Sequence, residues 1–383
     1  MAKADESRSQ KAGKTPGVVR YAVVGLGHIA QAAILPAFAH AKENSKLTAL
    51  VSDDPVKRDE LGKKYSVGYT YTYAEYDDCL NSGEIDAVFI ALPNEMHREY
   101  TERAARAGIH VLCEKPMAVT EEDCESMIHV AEESGVKLMI AYRLHFEEAN
   151  LKAIDMLNSG ELGEPRIFTS DFNMQVQEGN VRLDPIDRGG GSVYDIGVYC
   201  INAARYLFQD EPYEVFAYSA NNGDERFADV DEMTSVIMRF PEERLASFTC
   251  SFGAANVASY RIVGTKGDLR LDPAYGYAGS LKHHLTIDGK TVEKVFHKRD
   301  HFAAEMAYFS KCVLNDEEPE PNGREGLADV RIIRAIYKSA ATGKPVQLEK
   351  FVKARRPGTH QEISKTAASR PKVVHAEAPG GGN

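Results

Sequence analysis

The chain has 383 residues, enough for two domains of roughly 100–200 residues and a sizeable buried core. Lys and Arg number 46 against 57 Asp and Glu, a net charge of −11, the wrong sign for a protein whose main partner is a nucleic-acid backbone. The six cysteines form no C-x-x-C pair or zinc-type Cys/His spacing, and no uncharged apolar run of about 18 residues occurs, so neither a disulfide framework, a metal site nor a membrane span is expected.

Residues 1–17 are polar and basic with no apolar signal core, which reads as a flexible arm on a cytoplasmic protein. Between 18 and 142, apolar runs at 18–24, 47–51, 85–92, 109–113 and 137–141 alternate with amphipathic stretches of helical length. Continuous apolar strands separated by helices predict a doubly wound parallel sheet of the Rossmann type. Asn94 is placed to cap a helix running to Ala107, Thr120 to cap another, and Pro36 to break the first.

Beyond Tyr142 the pattern predicts a helix at 147–158, a strand from Arg166, and a helix opening at Gly189-Gly190-Gly191-Ser192 and running to Phe208. From 213 to about 295 apolar and polar residues alternate with period two, the mark of a mostly antiparallel open sheet with one covered face. Helices at 301–314 and 325–342 complete an α+β domain over 143–349, and 350–383 reads as a basic flexible tail.

Gly25-Leu26-Gly27-His28-Ile29-Ala30 places G-x-G-x-x-A between the first strand and the first helix. Gly25 permits the tight turn, Gly27 opens the backbone to a pyrophosphate, and Ala30 allows close packing, so Gly25, Leu26, Gly27, His28 and Ile29 are expected at a dinucleotide. After the second strand, Ser52 and Lys57, with Arg58, suit the 2′-phosphate of NADP, whereas Asp53 suits the free ribose of NAD. NADP is the favoured cofactor.

Glu114-Lys115-Pro116 follows a strand at the carboxyl edge of the sheet, where Lys115 can stabilise an alkoxide as hydride leaves carbon; a solvated lysine ahead of proline fits the same spacing. Asp195 and Tyr199 stand four apart on one helix face, which lets a carboxylate and a phenol converge on a small molecule, although Tyr194, Tyr199 and Tyr206 also fit plain packing.

Together, in this order, these motifs resemble the Gfo/Idh/MocA oxidoreductases, and most of all the glucose-fructose oxidoreductase branch, over about residues 20–346. The likeness also takes in Leu92-Pro93-Asn94, Ala141-Tyr142-Arg143 with His145, Arg182-Leu183 and Leu271-Asp272-Pro273-Ala274-Tyr275-Gly276-Tyr277. The resemblance implies catalytic roles for Lys115, Asp195 and Tyr199, with Tyr199 as acid/base and Asp195 on the substrate, and a cis bond before Pro116. It also adds Leu92, Pro93, Asn94, His97, Glu114, Arg143 and Arg182 to the cofactor-binding set. Asp53-Asp54 departs from the Gly-Asn pair of that branch.

The expectation is an NADP(H)-dependent oxidoreductase of a pyranose or polyol; were the cofactor retained between turnovers, it would act as a glucose-fructose-type dismutase. The alternatives are a simple aldose, inositol or trans-dihydrodiol dehydrogenase and a non-catalytic dinucleotide sensor. A homodimer or homotetramer through the C-terminal sheet is implied.

Overall fold

In a computed structural model, residues 17–369 and 371–380 are described; apart from Gly17, the expected N-terminal arm lies outside them. They form two sheets. The first contains β1 (Val19–Val24), β2 (Ser45–Val51), β3 (Tyr69–Tyr71), β4 (Ala87–Ile90), β5 (His110–Cys113) and β6 (Leu138–Ile140). All its pairings are parallel, in the order β3-β2-β1-β4-β5-β6. Every side chain of β1 and β4 is buried, because helices cover both faces and leave no strand position to solvent. The order reverses between β1 and β4, and the crevice beyond their carboxyl ends is where such sheets take ligands.

The second sheet has β7 (Pro165–Asn173), β8 (Glu214–Ala220), β9 (Met233–Phe240), β10 (Arg244–Ser251), β11 (Val257–Gly264), β12 (Gly267–Leu271), β13 (Leu281–Ile287), β14 (Lys290–Phe296) and β15 (Val346–Gln347). Its order is β14-β13-β12-β11-β7-β10-β9-β8-β15, antiparallel throughout except for the parallel pair β7 and β10. Helices Glu148–Asn158, Val198–Phe208 and Gly323–Thr342 back one face. The other face stays open. The six cysteines are buried, unpaired thiols, and among the described residues no helix is long and apolar enough to cross a membrane.

Local chemistry modifies several expected elements. Thr120 caps its helix as expected, accepting from the Asp123 amide at 3.1 Å. Asn94 does not cap: residues Asn94–Met96 form a 3₁₀ turn before the helix His97–Arg106, and the Asn94 amide donates instead to the carbonyl of Gly189 at 2.7 Å. Ahead of Pro36, which has no N–H to give, the helix widens to a π-turn over Ala30–Ile34 and ends at Ala37.

The largest correction concerns 350–383. Rather than a free tail, the described part is tied down at its root by buried charge. Lys353 pairs with Glu320 (2.5 Å) and Glu325, Arg356 with Glu211 (2.8 Å), and the Gln361 amide donates to the carbonyl of Glu320 (2.7 Å). These anchors join a network centred on Arg205, 1% exposed, which binds Glu211, Glu325 and Asp329 at 2.6–2.7 Å. Burying one charge is costly unless its partners surround it, and removing the central cation strips Asp329 of its ion pair and leaves Glu325 to Lys353 and Glu211 to Arg356 alone. Arg205→Met is therefore expected to destabilise the fold by about 3–5 kcal/mol, read as a lower urea midpoint with unchanged slope; an unchanged midpoint would show the network to be dispensable.

Candidate active site

The carboxyl ends of β1, β2, β4 and β5 open into a cleft of ≈ 740 Å³ closed on its far side by the second domain, within the ~300–1,000 Å³ usual for ligand sites. The turn after β1 is fixed by sterics. Gly25 has φ +92°, and a Cβ there would lie 2.4 Å from the carbonyl oxygen of Ala91 at the end of β4, so no other residue fits. At Gly27 a Cβ would meet no protein atom within 4 Å. Protein packing therefore does not demand that glycine; a cradle open to the cleft does, and a dinucleotide pyrophosphate fits it.

Leu26, His28, Ile29, Leu92, Pro93, Asn94 and Glu114 line the same cleft, as do Ser52 and Lys57 at its outer end. Neither aspartate after β2 lines it. Asp53 accepts from the Tyr73 amide (2.8 Å), and Asp54 caps the helix Pro55–Tyr65 through the amides of Val56 and Lys57. Arg58 turns back onto the Ser52 carbonyl. His97, expected at the cofactor, lies beneath the cleft: fully buried, its ring nitrogens bridge the carbonyls of Leu92 (2.9 Å) and Pro116 (3.0 Å), pinning the turns that carry Leu92 and Lys115. Burial pushes its pKa down despite those carbonyls.

Lys115, Asp195 and Tyr199 converge. The Lys115–Pro116 bond is cis, and the Lys115 ammonium donates to the Asp195 carbonyl (2.7 Å) and carboxylate (3.1 Å). Arg182 takes the second carboxylate oxygen at 2.6 Å. Burial opposes the charge on Asp195, but Arg182 and Lys115 outweigh it and hold the carboxyl well below its ordinary range. Burial likewise opposes the Lys115 charge, and Asp195 with Tyr199 and Glu114 raises it above that of an ordinary lysine. Asp195 lies in a π-turn, Val193–Gly197, rather than in the α-helix Val198–Phe208 that carries Tyr199; both still face the cleft. The glycines before them allow the close approach: a Cβ on Gly190 would fall 1.7 Å from the Asp184 carbonyl oxygen.

The Tyr199 ring has the Lys115 ammonium 4.9 Å from its centroid and the Arg143 guanidinium at 5.2 Å, and Arg143 donates to its hydroxyl at 3.4 Å. Arg143 is buried, donates to the Tyr275 carbonyl (2.5 Å), and stands 3.3 Å from the His301 ring nitrogen. Burial, reinforced by Arg143, pushes His301 down to about 3. Tyr275 and His301 were not legible as site residues, because a lone histidine at a helix start and a tyrosine in a turn carry no spacing signal. Nor were Ala368, Ser369, Ala378 and Pro379, which line the cleft from the C-terminal segment.

A family model described as an oxidoreductase family with an NAD-binding Rossmann fold matches residues 19–142, and a GFO/IDH/MocA C-terminal domain matches 150–270. The D-xylose 1-dehydrogenase [NADP(+)] of Haloarcula marismortui is 35% identical over 342 residues, covering 88% of this chain and 94% of its own. A solved aldose-aldose oxidoreductase from Caulobacter crescentus, complexed with glycerol, is 37% identical with a TM-score of 0.82, over 86% of this chain and all of that one. KijD10, a 3-ketoreductase from Actinomadura kijaniata in complex with NADP and TDP-benzene, is 27% identical with a TM-score of 0.77, over 84% and 98%.

Glu114, beside Lys115, is half-buried at the cleft, with one carboxylate oxygen withdrawn from solvent and lacking a hydrogen-bond partner among the described residues. Burial lifts its pKa from 4.5 to about 7 against the pull of Lys115. A carboxyl neutral in the fold but ionising near 4.5 when unfolded favours the folded state at low pH, and that advantage is lost as pH rises through about 7. Urea unfolding of cofactor-free protein from pH 4.5 to 7.5 should show wild type losing up to ~3 kcal/mol relative to Glu114→Gln, levelling off above 7. A difference that does not vary with pH would contradict the assignment.

Proposed function

As a member of the GFO/IDH/MocA oxidoreductase family, the chain is an oxidoreductase, and we propose that it uses NADP(H) on a carbinol carbon of a pyranose or polyol, an aldose first of all. The observation that carries this reading is the convergence of Lys115, Asp195 and Tyr199 on the cleft that the glycine turn opens. Ser52 and Lys57 at the adenosine end, with Asp53 turned onto the Tyr73 amide beyond β3, favour the 2′-phosphorylated dinucleotide. When bound, it supplies the acceptor or donor of hydride.

The protein supplies the rest. Tyr199 takes the hydroxyl proton in oxidation and returns it in reduction, and the flanking cations of Lys115 and Arg143 meet the negative charge that passes through its oxygen. Lys115 stabilises the alkoxide. Asp195, with one oxygen on Lys115 and the other on Arg182, fixes the ammonium as well as offering its remaining lone pairs to the sugar. Small neutral side chains and Phe172, Tyr275 and Tyr277 form the facing wall against which a pyranose ring can lie.

A second form of the reaction is favoured by Ala368, Ser369, Ala378 and Pro379 over the cleft. A cofactor covered in this way passes hydride from one aldose, which becomes a lactone, to the carbonyl of a second, which becomes an alditol. The reading extends to assembly. On the open face of the second sheet, Ile167 and Leu245 sit side by side, and Ile237 adjoins Ser247 and Phe216, each of the three aliphatics 46–49% exposed. A homodimer, or a homotetramer built from it, covers that face.

Tyr199→Phe and Lys115→Met are expected to lower kcat by roughly 10²–10⁴-fold in NADP+ reduction with D-xylose or D-glucose, while NADPH binding, followed by fluorescence, persists. Wild-type turnover in both variants would sink the mechanism. Light scattering should give a dimer or tetramer that Ile237→Lys with Leu245→Lys dissociates; an unchanged mass would move the interface elsewhere.

A further inference from the structure

Beyond its charged root, the described part of the C-terminal segment crosses the cleft. Leaving the turn Thr359–Gln361, it runs past the start of helix His301–Asn315, where the Asp300 amide donates to the Lys365 carbonyl (3.1 Å) and the Lys298 ammonium to the Ala368 carbonyl (3.2 Å). Lys365 also pairs with Glu43 of the first domain. Residues 371–380 then lie across the dinucleotide-binding domain. The Lys64 ammonium donates to the Lys372 carbonyl (3.2 Å), and His375 meets the carboxylate of Asp54 (3.0 Å). The segment returns to the second domain where the Gln177 amide donates to the Pro379 carbonyl (3.0 Å), in the loop that carries Arg182 and Asp184.

The central attachment is built into the Rossmann turn. Gln31, 1% exposed, gives its amide to the Leu26 carbonyl (2.9 Å) and to the Val374 carbonyl (2.8 Å), and its oxygen accepts from the Val374 amide (2.7 Å). A buried carboxamide whose oxygen has a single donor loses that bond whenever the segment lifts, and an unmet buried acceptor is unfavourable. The parts over the cleft carry small side chains, Ala368, Ser369, Ala378 and Pro379, which wall it without filling it. A segment fixed at both domains and at the substrate-side loop cannot be passed by a dinucleotide unless several of these bonds break together.

We propose that Thr359–Ser369 and Pro371–Pro379 form a strap in cis that sets the residence time of the dinucleotide, closing the outer wall of its site and joining it to the loop at Gln177. This rests on the dinucleotide site proposed above, but not on the identity of the sugar. Small covering side chains and a pair of backbone bonds to a buried glutamine suit an element that closes over a bound molecule rather than one that occupies its place.

The test is the NADPH dissociation rate, read as loss of fluorescence after a chase with excess NADP+. The full chain, a chain ending at Ser369, and Val374→Pro, which removes the N–H given to Gln31, are compared, each checked for folding by its thermal transition. Dissociation at least tenfold faster from the shortened chain, with Val374→Pro between the two, is expected; equal rates from folded proteins overturn the strap. In the intact chain, saturating NADPH should slow tryptic cleavage after Lys372, and an unchanged cleavage rate also overturns it. If NADPH is held and released as expected but no sugar reduces bound NADP+, the sugar reading falls and the strap stands. Failure of NADPH to bind at all sinks both.

Discussion

Lys115 leaves the carboxyl end of β5 in the parallel sheet, and its ammonium ends on Asp195 of the other domain, 2.7 Å from the carbonyl and 3.1 Å from the carboxylate. Much of the cleft is organised around this contact. Both groups are largely withdrawn from water, so each stabilises the charge of the other, and Arg182 on the second carboxylate oxygen leaves the trio with a net positive charge. The contact ties the turn after β5 to the π-turn of Asp195, and Tyr199, four residues on, presents its ring to two cations.

Charge around the cleft is sorted by depth. Lys115, Asp195 and Arg182 are at the face, while behind them burial, reinforced by Glu114, raises the Glu305 carboxyl well above its ordinary value, and burial keeps His301 neutral. Arg143 links the layers, touching Tyr199 in front and His301 behind. A site arranged this way presents fixed positive charge where an alkoxide or phenolate develops and little competing charge in the wall behind it.

The sheets were legible because each has a single periodicity: β4 is apolar at every position and β1 at every position but Arg20, and β9 and β10 alternate. The glycine turn, Lys115, and the pair Asp195 and Tyr199 were legible because their spacing along the chain is their spacing in the cleft. What could not be read depends on partners far along the chain. Asn94 has the chemistry of a cap, but Gly189 competes for its amide. His97 has the chemistry of a ligand contact, but two backbone carbonyls claim its ring. The parallel pairing of β7 with β10 is invisible to a period-two pattern, since both directions alternate alike. The C-terminal segment lacks any apolar period, because backbone bonds, small residues and ion pairs hold it in place, and none of these repeats.

The strap follows in chain order everything on which it rests: Gln31, Asp54 and Gln177 are translated long before Val374, His375 and Pro379. During synthesis both domains can therefore fold while the crevice at the reversal of strand order is still uncovered, and a nucleotide from the surrounding pool can settle there before residues 371–380 emerge. In the order of synthesis, the groups that receive the strap are thus in place before the strap itself.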